Sequence, residues 1–196
     1  MKNIWVLLAV ALAACGGDSR EPVKEIKQLE KIQEQQKTFR KQVFLYIDDF
    51  NQRMRNANID ASIAGTSVHE NLVSDTPSMH AVVNPSLKIE WLANTNRTDI
   101  RGLVITQDSK MFSDNNAVEH FLINCGLLAA GINMTESDSI QLCTTIQEYL
   151  RRLVEMHKFY EEGDPPQKVS FEFKGYKYIL GFGGQYVFYS REIMNQ

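Results

Sequence analysis

Histidine and carboxylate side chains are the groups in this 196-residue chain that most often carry acid–base chemistry or bind a metal ion. His69 and Glu70 begin like the His-Glu-x-x-His motif of zinc peptidases, but the second histidine of that motif is missing. The other histidines, His80, His120 and His157, are scattered, and His157 falls on the apolar stripe of a predicted helix. A histidine there is typical of a core position. The sequence therefore predicts no metal site.

Other catalytic signatures are also missing from the chain. It contains no Gly-x-Ser-x-Gly elbow, no phosphate-binding loop and no dinucleotide-binding glycine motif. Two pairs of adjacent carboxylates occur, 48–49 and 161–162, but neighbours on a helix point in different directions and do not form an acid–base pair. Both pairs are interpreted as solvated surface. We therefore predict no catalytic residue, no cofactor and a protein that is not an enzyme; an unfamiliar active site is the third-ranked hypothesis.

Two cysteines, Cys125 and Cys143, are the remaining reactive groups in the second half of the chain. Their spacing is far from Cys-x-x-Cys, so a thioredoxin-like redox site is not expected. Each lies nine residues from Met134, at the centre of the loop between two predicted helices. In an antiparallel helical hairpin this symmetry places both at similar heights on apolar faces. A structural disulfide is the favoured interpretation, and two buried free thiols are the alternative.

A long helix is predicted over residues 21–56, because that segment lacks glycine and contains no proline after Pro22. Its first part is polar, whereas apolar residues recur at steps of three and four from Phe39 to Met54. The first part is interpreted as a stalk and the second as the part that docks on the domain. A coiled coil that binds a partner is the alternative, weakened by Gln33 and Gln36 at seam positions.

The middle of the chain predicts a hairpin followed by two helices. Residues 57–86 suggest irregular structure, and alternating residues over 87–106 indicate a strand pair. A helix with Ser113 or Asp114 as its cap ends at Gly131, and a second helix ends near Gly163. One apolar face is predicted for each helix, with these members: Val118, Phe121, Leu122, Cys125, Leu128 and Ala129 on the first, and Ile140, Cys143, Ile146, Leu150, Leu153 and His157 on the second.

Three β-rich runs close the chain, at 169–173, 176–182 and 186–189, separated by Lys174-Gly175 and Gly183-Gly184. Two-residue turns at these places predict four cross-strand pairs: Phe173 with Tyr176, Phe171 with Tyr178, Leu180 with Val187, and Tyr178 with Tyr189. One face of this meander is then aromatic, and its simplest role is the core under the helices. The opposite face carries Ile179, Tyr186 and Phe188, which would form an exposed apolar surface for a partner or ligand.

The predicted fold class is α+β. A long N-terminal helix and a helical hairpin pack on an antiparallel sheet of about five strands, two from the 87–106 hairpin and three from the C-terminal meander. Residues 57–196 are expected to form a single domain.

The N-terminal residues resemble the signal of a bacterial lipoprotein precursor. Lys2 precedes an apolar run that ends in Leu12-Ala13-Ala14-Cys15, which is similar to a lipobox. The resemblance implies that residues 1–14 are a signal peptide, that Cys15 becomes the lipidated first residue, and that residues 15–20 are a short leash. Two or three acyl chains hold such a protein on a membrane effectively permanently.

The same resemblance implies a location. Gly16, rather than aspartate, follows the lipidated cysteine, which favours the periplasmic side of the outer membrane if the organism is Gram-negative. The outer face of the plasma membrane is the alternative. Export also favours the disulfide between Cys125 and Cys143. A formal net charge of −3 offers no cationic surface of the kind that nucleic acid requires.

The leading functional hypothesis is a non-enzymatic module that binds another envelope protein. It would serve an assembly or secretion machine, or inhibit a periplasmic toxin. The anchor, the polar helix after it and the lack of a catalytic constellation favour this hypothesis. A lipoprotein that binds a small molecule or lipid in an aromatic cavity is the alternative.

Overall fold

A computed structural model describes residues 21–72, 76–110, 117–157, 165–183 and 186–194. Three α-helices occur in these ranges: α1 (Glu21–Asn56), α2 (Ala117–Ala129) and α3 (Glu136–His157). The proposed signal peptide, Cys15 and the leash lie outside the described residues. The predicted caps Ser113 and Asp114, the pair at 161–162 and the helix end near Gly163 do so as well, and so does the side chain of His157.

Seven strands in the described ranges form one sheet in the order β1-β2-β3-β4-β7-β6-β5, with every neighbouring pair antiparallel. Their bounds are β1 Val68–Asn71, β2 Ser78–Asn84, β3 Leu87–Ala93, β4 Ile100–Asp108, β5 Gln167–Phe173, β6 Tyr176–Gly183 and β7 Tyr186–Ile193. The α+β class is confirmed, and the hairpin at 87–106 is present as β3 and β4. The sheet has two strands more than the five expected, because β1 and β2 lie in the segment that was predicted to be irregular.

Helix α1 contains both parts that its sequence suggested. Residues 25–31 are exposed, and the first fully buried side chain is Phe39. From there the apolar stripe continues through Val43, Tyr46 and Phe50 into the core. Arg40 joins this buried part to β1 through a bidentate ion pair with Glu70, with Nε–Oε1 and Nη2–Oε2 distances of 2.6 and 2.5 Å.

The turn between α2 and α3 uses local signals that the sequence displays. Gly131 ends α2 with a φ of 70°, in the left-handed region that favours glycine. Thr135 and Asp138 then cap α3 reciprocally, because each side chain accepts a hydrogen bond from the backbone N–H of the other. Asp49 accepts the Gly131 N–H at 2.8 Å and pairs with Arg53 at 3.1 Å. Asp48 is exposed as expected, and the partly exposed Asp49 also ties α1 to the end of α2.

The C-terminal meander has one turn as predicted and one shifted. Lys174 and Gly175 both have positive φ, and Phe173 pairs with Tyr176 as expected for a two-residue turn. In the second hairpin Gly183 pairs with Tyr186, so the connecting residues are 184–185 rather than 183–184. Tyr189 consequently pairs with Leu180 instead of Tyr178. This correction moves the register by two residues, so every side chain keeps its predicted face.

All three helices pack on the same face of the sheet. Tyr46 of α1 makes an edge-to-face contact with Trp91 of β3, with ring centroids 5.5 Å apart. Tyr149 of α3 packs on Phe171 of β5, and its ring centroid lies 4.9 Å away. A single cluster of buried side chains therefore joins α1, the helical hairpin and the covered face of the sheet. The aromatic face of the meander is part of this core.

Candidate functional site

None of the described helices covers the other side of the sheet, called here the open face, which carries exposed and half-buried side chains on all seven strands. Its apolar members are Val82, Leu92, Val104, Ile179, Tyr186 and Phe188. Charged residues of both signs are interspersed among them, namely Lys88, Glu90, Lys168, Glu172, Lys177 and Glu192. A mixture of apolar and charged side chains of this kind is found in many protein interfaces.

The predicted surface residues Ile179, Tyr186 and Phe188 come together on the open face. They lie on the adjacent strands β6 and β7, and Tyr186 is 54% exposed. The ring of Phe188 lies over Gly181, its cross-strand partner, where any Cβ would overlap with it. An aromatic ring laid over a strand glycine covers the exposed backbone at that point. Phe188 therefore has a structural role beside any binding role.

A shallow depression of about 230 Å³ lies further across the open face. Its walls include His80, Lys88, Glu90 and Val104. The His80 ring also stacks on that of His69, with centroids 5.2 Å apart. The two histidines and the carboxylate of Glu90 follow one cross-strand row. Within the described ranges, however, no group of three His, Cys, Asp or Glu side chains could hold a metal ion.

A second apolar surface lies in a groove between α2 and α3, of about 810 Å³. Apolar side chains form most of this α2–α3 groove: Val118, Phe121, Leu122, Leu150, Val154 and Phe182. Val118, Leu122 and Ile140, three members of the predicted apolar faces, are 72%, 39% and 60% exposed, so these faces are buried only in part. Helix α2 is apolar around most of its circumference, so its periodicity could not select the buried side. That unusual composition was the available signal for this groove.

Cys125 and Cys143 meet at the interface between α2 and α3. The structure records both as free thiols, with the Cys125 S–H donating to the Cys143 sulfur. This contact raises the pKa of Cys125, which burial raises further, and it lowers the pKa of Cys143. The helical hairpin thus brings the two sulfurs together. The disulfide stays a prediction, now supported by their contact.

Arg191 is a buried cation that the sequence analysis did not single out. Its side chain is 4% exposed, and Nη1 donates to the carbonyls of Leu128 and Ala130, each at 2.7 Å. The guanidinium carbon lies 5.8 Å from the ring centroid of Tyr46 and 5.1 Å from that of Tyr176. A cation here satisfies carbonyls at the negative end of α2. Arg191 is consequently a helix cap supplied by a strand.

Polar side chains beside the thiols form a buried cluster under α2. Asn124 donates through Nδ2 to Oε1 of Gln107, and the Tyr189 hydroxyl lies beside the Asn124 amide. Gln107 Nε2, Asn124 Oδ1 and the Tyr189 hydroxyl have no hydrogen-bond partner, and the same holds for Nδ1 of the buried His120. Such groups are normally satisfied by a protein partner or a buried water. No acid–base pair for catalysis emerges from this arrangement.

Buried tyrosines give the fold a predictable response to alkaline pH. Burial raises the pKa of Tyr46 and Tyr189 and raises that of Tyr178 to about 12. In the unfolded chain the pKa of tyrosine is about 10, and below that pH these residues contribute their full stabilisation of the fold. That contribution is lost as the pH rises through the higher pKa that each has in the folded protein. We expect Tyr178→Phe, which removes an unpartnered hydroxyl, to match the wild type at pH 7. Between pH 7 and pH 11 the free energy of unfolding of Tyr178→Phe should fall by about 1 kcal/mol less than that of the wild type.

Urea titrations at the two pH values measure this difference, and tyrosinate absorbance at 295 nm follows ionisation. Tyr186→Phe is the matched control, because Tyr186 is the exposed tyrosine of the open face. Equal losses of stability in Tyr178→Phe and wild type would contradict the expectation.

Among the described helices none is both long enough and apolar enough to cross a bilayer. Comparison of the chain with protein-family models, with curated proteins and with solved structures gave no match.

Proposed function

We propose that this chain is a membrane-anchored periplasmic lipoprotein that acts without catalysis and binds another protein of the cell envelope. Acyl chains on Cys15 would anchor it to the outer membrane, as the lipobox resemblance of residues 12–15 suggests. The partner would belong to an envelope assembly or secretion system, or would be a toxin that the chain inhibits.

The observation that carries this proposal is the one-sided sheet. Seven strands present an open face that mixes apolar residues such as Val104 and Ile179 with charged ones such as Glu90, while the described helices occupy the other side. Exposed apolar side chains on such a face, Tyr186 and Val82 among them, are candidates for contact with a partner. The charged residues are of both signs, which suits a protein surface better than an anionic lipid or a nucleic acid.

Site-specific photo-crosslinking in intact cells tests the proposal. A p-benzoylphenylalanine residue at position 186 should yield a discrete adduct with one envelope protein. The adduct should weaken at least tenfold when Ile179→Gln is also present, because a polar side chain then replaces an apolar one on this face. The same crosslinker at position 118, in the α2–α3 groove, is the matched control.

Adducts from position 118 that survive Ile179→Gln, with none from position 186, would overturn the assignment to the open face. Absence of a discrete adduct from both positions would overturn the protein-binding proposal itself. Circular dichroism of each purified variant confirms that the fold is retained.

The α2–α3 groove supports the second hypothesis, binding of a small apolar molecule or lipid. Its volume of about 810 Å³ lies in the usual range for ligand pockets. The aromatic side chains expected to form such a cavity, including Phe171 and Tyr178, are instead buried in the core. A fluorescent fatty-acid probe should then bind the wild type and lose its signal in Val118→Gln/Val154→Gln. An unchanged signal in that variant would contradict this hypothesis.

A further inference from the structure

The two thiols of the hairpin differ in access to solvent. Cys125 is 2% exposed and faces the covered interior, next to Tyr189. Cys143 is half-buried and lines an open depression of about 310 Å³ beside Phe121, Leu122 and Ile140. Phe121 and Leu122 also line the α2–α3 groove, so the depression continues into it. An approaching reagent therefore meets Cys143 first.

We propose that Cys143 is the thiol at which a disulfide-carrying oxidant attaches, and that the depression next to the α2–α3 groove receives that oxidant. This is a modification site, and it is independent of the partner proposed for the open face. It states which of the two cysteines reacts first, whereas a predicted disulfide alone does not.

Two thiol–disulfide exchanges complete the reaction. The Cys143 thiolate attacks one sulfur of the oxidant R–S–S–R, forming a Cys143–S–S–R mixed disulfide and releasing RS⁻. The Cys125 sulfur then attacks the Cys143 sulfur, breaking the bond to the oxidant and releasing the second RS⁻. The two thiol protons pass to the two RS⁻ groups. Two electrons are transferred, so the oxidant leaves as two thiols and the hairpin holds one disulfide.

The contact between the cysteines supports the same order. The thiolate is the nucleophile in such exchanges, and the S–H of Cys125 stabilises a thiolate at Cys143. Once Cys143 carries the mixed disulfide it has no negative charge, so its contact no longer opposes ionisation of Cys125. Cys125 is the neighbouring thiol across the α2–α3 interface, so it is the group available for the second step.

The depression is well suited to a disulfide reagent. Phe121, Leu122 and Ile140 offer apolar contact to the oxidant's carbon and sulfur atoms, and Glu136 is its charged residue. Cys125 lacks such an approach, since reaching it requires α2 to separate from α3 or from the sheet. Local opening of this kind sets an upper limit on its rate.

The test measures thiol reaction rates on the full-length, reduced protein with 5,5′-dithiobis(2-nitrobenzoate) as the oxidant. Cys125→Ala, which leaves Cys143, should react at least tenfold faster than Cys143→Ala, and its rate should rise linearly with reagent. Cys143→Ala should instead saturate at the opening rate. The double variant Cys125→Ala/Cys143→Ala provides a blank that subtracts any thiol at Cys15. Equal rates, or a faster reaction of Cys143→Ala, would overturn the proposal.

A second measurement avoids cysteine substitutions. Brief iodoacetamide treatment of the reduced wild type, followed by peptide mass spectrometry, should find Cys143 alkylated before Cys125. The approach of the reagent through the depression is tested separately with Ile140→Glu, a change at a 60% exposed position beside Cys143. It should slow the anionic reagent several-fold more than the neutral 4,4′-dithiodipyridine, whereas Val82→Glu on the open face should slow neither. The same effect from Val82→Glu would contradict this approach route.

Discussion

Arg191→Met is expected to lower the free energy of unfolding by about 3 kcal/mol. Methionine retains much of the apolar stem but cannot donate to the carbonyls of Leu128 and Ala130, which Nη1 satisfies at 2.7 Å each. Both carbonyls lie at the end of α2 in the core, and a buried acceptor without a donor costs about 1–3 kcal/mol. The contacts of the guanidinium with Tyr46 and Tyr176 are lost as well.

Urea unfolding at pH 7 measures the effect, and Arg101→Met is the matched control on an exposed part of β4. The control should stay within about 0.5 kcal/mol of the wild type. The loss of stability in Arg191→Lys should lie between those of Arg191→Met and Arg101→Met. An ammonium group retains the charge but not the planar geometry of the guanidinium. A loss below about 1 kcal/mol in Arg191→Met would mean that the carbonyls find other donors, and would contradict the capping role.

The role of Arg191 illustrates what periodicity can and cannot predict. Alternation along β7 places residues 187, 189 and 191 on one face, and all three are buried. The charge of Arg191 argues for solvent, so its burial depends on carbonyls about sixty residues earlier in the chain. No local pattern reports such a partner. The buried amide pair of Gln107 and Asn124 depends on tertiary contact in the same way.

Strand β1 was missed for a related reason. The β1 sequence, Val-His-Glu-Asn, has little apolar character, and its burial pattern shows no regular alternation. Its place in the sheet comes from pairing with β2 and from the ion pair of Glu70 with Arg40, thirty residues away. The C-terminal strands, in contrast, combine alternation with aromatic residues and a Lys-Gly turn, so local chemistry was sufficient to predict them.

The two candidate surfaces also differ in how far the sequence predicts them. Strand alternation predicted that Ile179 and Phe188 share a face, and the arrangement of the helices leaves that face open. On α2 the apolar residues surround the helix, so the sequence could not indicate that Val118 would be exposed. The cysteines were predictable because a symmetric position about a turn is a property of the hairpin itself.

Oxidation of Cys125 and Cys143 to a disulfide is expected to raise the free energy of unfolding by about 3 kcal/mol. The bond closes a loop of about eighteen residues through the α2–α3 turn, which restricts the unfolded chain. The folded hairpin already places the two thiols next to each other across the α2–α3 interface.

Urea titrations of the oxidised and the reduced wild type measure this difference, after thiol labelling of the unfolded samples has established the redox state of each. Cys125→Ala/Cys143→Ala is the control, because its midpoint should not respond to reductant. If oxidised and reduced wild type unfold at the same urea concentration, strain in the folded hairpin offsets the restriction of the unfolded chain. A free Cys125 and Cys143 in protein isolated from the envelope would instead exclude the disulfide altogether. These outcomes separate the energetic role of the bond from its existence, because the first concerns an oxidised protein and the second a protein that never becomes oxidised.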